Sequence, residues 1–272
     1  MNKGTFFLMV WAVLAGQTAQ AAFELTEQGP RATGMGGAGT ALAGDGWAVC
    51  RNPALAVDLL PTAAVAWSQQ FGLPELTRES FMAGLELRTQ PLAIAASTLG
   101  SEVYRENEVA LIAARKLGER VAAGVEARAD NLAIEGYSSA TVFALTAGLS
   151  VRPTAGVSFG VVWRNLNEPK LPGYRDRISE SLTIGVAARV VEQGMLAADV
   201  VQEKHFAAEY RIGAEARVMP RLFLRVGVRA EPVRPSAGFQ IDLGRCSFLY
   251  AGDLHPDLGA SHEFGLSFRF GR

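Results

Sequence analysis

Cysteine is scarce in this chain of 272 residues, at two, and histidine is nearly so, at three. Neither a disulfide-stapled scaffold nor a multi-histidine metal centre can be built from so few. A dominant charge is missing too, since 26 basic side chains face 27 acidic ones. Without a basic excess there is no electrostatic footprint for nucleic acid. Past residue 21 the sequence also lacks any uncharged apolar run of about 18 residues, the length a spanning helix requires. Yet 49% of the residues are apolar and 29 are glycine. If such a chain meets a membrane, it does so with strands.

The N-terminus carries Lys3, an apolar stretch over residues 6–15 (FFLMVWAVLA) and the small-x-small site Ala19-Gln20-Ala21. That order is the pattern of a secretory signal peptide. Residues 1–21 are read as this signal, with cleavage after Ala21 and a mature chain beginning Ala22-Phe23-Glu24-Leu25. No cysteine follows the cleavage site, so a lipid-anchored lipoprotein is not expected.

From about residue 61 onward, segments of roughly ten residues alternate with period two and are punctuated by Gly, Pro, Asn and Asp. Val157, Phe159, Val161 and Trp163 share one face; Ser158, Gly160, Val162 and Arg164 share the other. Leu222, Leu224, Val226 and Val228 oppose Phe223, Arg225, Gly227 and Arg229 in the same manner. Fourteen such segments fit between residues 61 and 270. The connections after even-numbered segments are very short, as at Thr89-Gln90, Glu192-Gln193 and Gly244-Arg245. Those after odd ones are longer, at residues 100–106, 167–179 and 252–259. Short turns at one end and longer loops at the other predict an even-stranded transmembrane barrel with both termini on the turn side. The expected fold is therefore all-β: a single antiparallel barrel of about fourteen strands, apolar outside and charged within. A secreted soluble β protein is the other fold that suits the alternation.

Catalysis finds little support. His205, His255 and His262 fall near expected outer strand ends, with no Ser and Asp beside them in a defensible triad order. No catalytic residue, metal ligand or cofactor is assigned. Arginines on the inward parity, Arg128, Arg164 and Arg189 among them, are expected to pair with inward acids. A substrate path using them to bind a carboxylate is the functional alternative. Cys50 and Cys246 both fall toward the turn end, in a compartment where disulfides persist, so a bond between them is expected to tie the N-terminal segment to the wall.

Residues 22–60 do not alternate. They contain Gly34-Met35-Gly36-Gly37-Ala38-Gly39, then Asp45, then Asn52-Pro53-Ala54. No strand precedes the glycine run, which argues against a nucleotide loop. Small residues this dense suit a chain threaded through a confined space. Asn52, Pro53 and Ala54 are expected to form the turn that delivers the chain into the first strand.

These residues, in this order, resemble the N-terminal signature of the FadL-like outer-membrane proteins: Phe23, the Gly34 to Gly37 run with Ala38, Ala41 and Ala43, then Asp45, then Asn52-Pro53-Ala54. The resemblance implies a fourteen-stranded barrel over residues 61–272 with a plug over residues 22–60, in the outer membrane of a Gram-negative-type bacterium. It implies that Ala22, Phe23 and Leu25 reach a central ligand pocket. One branch of that superfamily takes up long-chain fatty acids and hydrocarbons, releasing them sideways through the wall. A second, PorV/PorQ-type branch acts in protein secretion or surface attachment. The implied partners are outer-membrane lipids, the barrel assembly machinery, and either a hydrophobic ligand or a secreted protein. Nucleic acid is not among them.

Overall fold

The computed structural model describes Phe23 and residues 29–87, 90–172, 177–230 and 232–270. The alternating segments form fourteen strands. These are β1 (Thr62–Gln69), β2 (Thr77–Leu87), β3 (Gln90–Gly100), β4 (Tyr104–Lys116), β5 (Val121–Ile134), β6 (Ala140–Thr154) and β7 (Val157–Arg164), followed by β8 (Ser181–Val191), β9 (Gly194–Glu203), β10 (Glu209–Met219), β11 (Leu222–Arg229), β12 (Arg234–Leu243), β13 (Cys246–His255) and β14 (Gly259–Arg269). Each pairs antiparallel with its sequence neighbours, and β1 pairs with β14, so the sheet closes into a barrel with no free edge. Closure lets the ladders pair within the wall, as backbone immersed in hydrocarbon requires.

Side-chain parity follows the sequence pattern. Val65, Phe81, Ile94, Leu111, Phe143, Ile184, Val226 and Leu266 are exposed on the outside, whereas Glu126, Asp130, Asp199, Arg225 and Glu263 are buried within. A charge on the lipid side would cost about 2–4 kcal/mol at mid-depth, which is why parity and charge coincide.

Two sequence expectations are corrected. The outer connections at residues 100–106 and 252–259 shrink to residues 101–103 and 256–258. Pairing continues as far as Gly100↔Arg105 and His255↔Gly259 before the chain turns, and alternation alone does not show where a ladder stops. Second, Cys50 and Cys246 are both free. Cys50 is buried in the lumen among Trp47, Val49, Ala64, Met82 and Ile112. Cys246 is exposed, its inward neighbours being Ser247 and Leu249, so its thiol points away from the plug through the opposite face of the wall. Depth in the barrel brought the pair together on paper; parity separates it. Burial, with Glu126 nearby, pushes the Cys50 thiol above its ordinary range, and a thiol reacts only as thiolate. In the folded protein a maleimide is expected to label Cys246 alone, with a second equivalent taken up after denaturation and no change in migration with reductant.

The plug begins with α1 (Pro30–Thr33), continues through a glycine-rich turn and α2 (Ala48–Arg51), and enters β1 through a 3-10 stretch at Pro53–Asp58. Two short helices with so few residues cannot stand alone. The plug is held by what it touches.

Candidate functional site

Wall glycines receive the plug in three cross-strand pairs. Gly213↔Gly227 accommodates Met35 and Gly36, Gly160↔Gly185 accommodates Thr40, and Gly124↔Gly148 accommodates Asn52 and Pro53. At Gly227 an added Cβ would lie 2.1 Å from the Met35 carbonyl carbon, and at Gly124 2.3 Å from that of Pro53. Backbone therefore packs directly on backbone. Gly36 answers from the plug side, with φ at 66° and its own Cβ position 2.6 Å from Val228 N. No other residue meets both conditions without strain.

Polar contacts then fix the register. Asp199 on β9 accepts hydrogen bonds from Gly39 N at 2.8 Å, Thr40 N at 2.9 Å and Thr40 Oγ1 at 2.8 Å, all on Oδ2. Glu263 on β14 accepts from Gly29 N at 3.1 Å and from the Thr33 hydroxyl. Asn52 closes the plug on itself and on the wall: its Oδ1 accepts from Ala54 N at 3.0 Å, while its Nδ2 donates to Thr40 O at 2.9 Å and Leu149 O at 3.1 Å. Pro53 fixes φ at the first 3-10 position, where a missing N–H costs nothing.

A chain of ion pairs crosses the lumen toward the turn end. Arg31 donates to both Glu215 oxygens, at 2.8 and 2.7 Å, and lies 3.2 Å from Asp45 Oδ2. Arg51 Nη2 reaches the same Asp45 oxygen at 2.9 Å, and Arg225 Nε pairs with Glu215 at 2.7 Å. This network borders a cavity of about 280 Å³ between the plug and β10–β14, lined also by Trp47, Leu59, Gln240 and Asp242. Burial by itself would raise the Asp45 carboxyl, but Arg51 and Arg31 outweigh it and hold the group below the usual carboxylate range. Since the folded value is the depressed one, this stabilisation is complete above about pH 4, the unfolded value, and is lost as pH falls through the folded value. Pepsin protection of the plug is expected to be full above about pH 4 and to weaken progressively as the pH is lowered from there. In Asp45→Asn it is expected to be weak throughout.

Nearer the loop end, Arg78, Arg128 and the partly buried Arg164 share the lumen with Glu106, Glu108, Glu126 and Asp130. Arg128 pairs with Asp130 at 2.6 Å and Glu126 at 3.4 Å, and donates to Asn165 Oδ1 at 3.1 Å. Asn165 in turn donates to Ser179 O at 2.7 Å, so Arg128 anchors the connection between β7 and β8. Arg164 donates to the Cys50 and Arg51 carbonyls at 3.2 and 3.4 Å and lies 3.9 Å from Glu126. Both arginines proposed from sequence for a substrate carboxylate are thus committed to internal partners. Arg189, the third, is exposed at the turn end of β8, beside the register shift between Arg189 and Val191. Arg78 was not singled out in the sequence, although its parity matches that of Met82. It pairs with Glu108 at 3.3 Å and keeps Nε and Nη2 without partners.

Phe23 sits at the loop end, where β4, β5 and β6 begin or finish. Its ring is buried among Leu132, Ala140, Val142, Leu171 and Ile178, with Tyr104 and Ile134 alongside. Leu171 and Ile178 belong to the β7–β8 connection and roof the pocket. The Phe23 backbone N donates to Glu106 Oε1 at 3.1 Å, and Tyr104 Oη donates to the same oxygen at 2.5 Å. Ala22 and Leu25, expected beside Phe23, lie outside the described residues.

A concavity of about 710 Å³ lies at β14 and β1–β4, lined by the outward Val65, Trp67, Phe81, Phe264 and Leu266 and also by the inward Ala66, Ser97 and Glu108. The ladders beneath it, from β14 through β1 to β4, are unbroken. Register shifts between the described strands occur only at Val151/Thr154, Arg189/Val191 and Arg217/Met219, all toward the turn end.

No protein-family model matches this sequence, and no curated protein matches it. Solved structures do match. The toluene transporter TbuX of Ralstonia pickettii shares 12% identity and a TM-score of 0.68, covering 92% of this chain and 100% of that one. The monoaromatic hydrocarbon channel CymD shares 14% identity at a TM-score of 0.66, covering 92% and 100%. A Pseudomonas aeruginosa FadL homologue shares 11% at 0.59, covering 91% and 99%. At such identities it is the fold that is shared. By its closed fourteen-stranded wall and the segment threaded within it, this chain has the fold of the FadL-like barrels.

Proposed function

We propose that this protein is an outer-membrane channel that binds small hydrophobic compounds and passes them across the outer membrane, without chemical conversion. The observation that carries this reading is an N-terminal segment inside a barrel that is apolar on its outer face, with its own phenyl ring seated in a roofed apolar pocket at the loop end. Such a pocket is where a hydrophobic compound arriving from outside would first leave water. Solved structures that share this fold include hydrocarbon channels and a FadL homologue, which favours transport over the secretion-partner reading. Export would use the signal at residues 1–21, and insertion would require the barrel assembly machinery. Bilayer lipids would cover the exposed apolar face.

The test is uptake of radiolabelled toluene and oleate by a Gram-negative host stripped of its own FadL-like proteins. Expression is expected to raise the initial rate for at least one compound several-fold over empty vector. Equal rates for both compounds, with the barrel verified in the outer membrane, would dismiss the proposal.

A further inference from the structure

We propose that the turn-end rim of the barrel from β10 to β14 binds anionic phospholipid headgroups of the periplasmic leaflet. This goes beyond transport and rests only on the membrane reading above. β1 starts and β14 ends at the turn end, which is the periplasmic side of such a barrel. Over the whole chain 26 basic side chains nearly cancel 27 acidic ones, but along this arc they do not. Arg217 lies near the end of β10, Arg221 and Arg245 sit on two-residue turns, and Arg269 ends β14; all four are exposed. None has an acidic partner among the described residues. The acids near the turn end of these strands are engaged inside: Asp242 accepts from Gln240 and Ser247 at 2.7 and 2.6 Å, and Glu215 pairs with Arg31 and Arg225. The turns lie side by side, since Arg221 O accepts from Asp242 N and Arg245 O from Arg269 N, both at 2.9 Å. At a strand spacing of about 4.8 Å the arc runs for about 20 Å. The β8–β9 turn, next along the rim, carries Arg189 and Glu192 together. At the loop end opposite signs meet as well, Lys204 pairing with Glu168 and Glu180.

The second observation names the occupant. Val218, Met219, Leu243, Phe268 and Phe270 are large apolar residues exposed at the same end of the same strands, and Phe268 stacks on Phe270 with ring centroids 6.4 Å apart. Acyl chains therefore cover the wall as far as its last rungs. The headgroup layer beyond them is about 5–7 Å thick on each side of the bilayer, and a two-residue turn does not carry the chain past it. An arginine at this level lays its apolar stem along the wall and its guanidinium among the phosphates, which it can bind through two parallel N–H donors. A zwitterionic headgroup neutralises its own phosphate, whereas an anionic one leaves a charge for the arginine. A soluble acidic protein would need a basic surface that projects clear of the membrane, and these turns are too short to provide one.

Cys246, exposed beside Arg245, supplies a local reporter. The full chain, labelled there with a fluorescent maleimide, is reconstituted into phosphatidylcholine vesicles. Quenching is followed as phosphatidylglycerol or phosphatidylcholine bearing a nitroxide high on one acyl chain is added. Three proteins are compared: the unaltered chain, a variant combining Arg217→Gln, Arg221→Gln, Arg245→Gln and Arg269→Gln, and the loop-end control Arg105→Gln, each checked for folding by heat-modifiable migration. Each cation beside an anionic surface favours binding about fivefold, so with two engaged at once phosphatidylglycerol is expected to reach half-maximal quenching at a lipid fraction at least about tenfold lower than phosphatidylcholine. The fourfold variant is expected to bring the two lipids within about twofold, and Arg105→Gln to leave the preference unchanged. Salt at about 1 M is expected to shrink the preference of the unaltered chain several-fold, a measurement that needs no variant to fold. Equal quenching by the two lipids, a preference that survives the fourfold variant, or one indifferent to salt overturns the proposal. Equal quenching together with a response of the dye to a soluble glutamate decamer assigns the arc to an acidic protein instead and overturns it too. Loss of the preference with hydrocarbon uptake intact refutes this proposal alone, whereas a chain that does not enter vesicles refutes the membrane reading with it.

Discussion

Gly227→Leu is expected to drive the glycine-rich turn of the plug out of its seat while leaving the barrel assembled. The Cβ alone would stand 2.1 Å from the Met35 carbonyl carbon and 2.2 Å from Gly36 N, and both are backbone atoms that no rotamer change can move. Overpacking of an ordinary core costs about 1–3 kcal/mol because neighbouring side chains yield. Here the yielding partner is the whole segment from residue 34 to 37, facing a wall whose ladder pairs Gly227 with Gly213 and Ser236. The ladder is the stronger party, since its hydrogen bonds have no solvent alternative in hydrocarbon. Heat-modifiable migration should therefore persist, while proteolysis cuts the plug and planar-bilayer conductance rises well above the unaltered channel. Gly118→Leu is the matched control, because a Cβ there meets nothing within 4 Å. A Gly227→Leu plug that stays protected and a channel that stays closed would contradict direct backbone packing.

The second large effect is expected at Asp199. Its Oδ2 is the shared acceptor for Gly39 N, Thr40 N and Thr40 Oγ1, and the residue is almost fully buried. Asp199→Ala leaves two backbone N–H groups unpaired in the lumen. At about 1–3 kcal/mol for each orphaned group, plug docking weakens by roughly 2–6 kcal/mol. Amide exchange at Gly39 and Thr40 reads this directly, and acceleration of about 30-fold or more is expected from the lower bound. Asp199→Asn keeps one oxygen acceptor and is expected to fall between. Exchange in Asp199→Ala indistinguishable from the unaltered protein would mean that the glycine pairs alone hold the plug.

The two effects divide the work between shape and polarity. Glycine pairs decide how closely the plug approaches, and Asp199, Glu263 and Asn52 decide where along the wall it stops. Met35 and Thr40 have no freedom in either respect. The plug is thus fixed firmly at mid-lumen.

Much of this architecture is legible along the chain. Alternation at period two needs only neighbouring residues, so the strand number, the apolar outside and the charged inside could be read before any contact was known. The same holds for the dense glycines at residues 34–39 and for the turn at Asn52-Pro53-Ala54, because backbone restriction at Gly and Pro is a local property. What alternation leaves open is which residues of distant strands share a level and a direction, since that depends on how the barrel closes. Closure pairs Thr62 with Arg269 and thereby sets every register around the wall. Tertiary structure alone committed Arg128 to the β7–β8 connection and Arg164 to the plug carbonyls, and brought Arg78 beside Glu108. It also placed Phe23 and Glu106, 83 residues apart, within one hydrogen bond. Parity is a rule about one strand; a site is a statement about several, and only the closed sheet makes it.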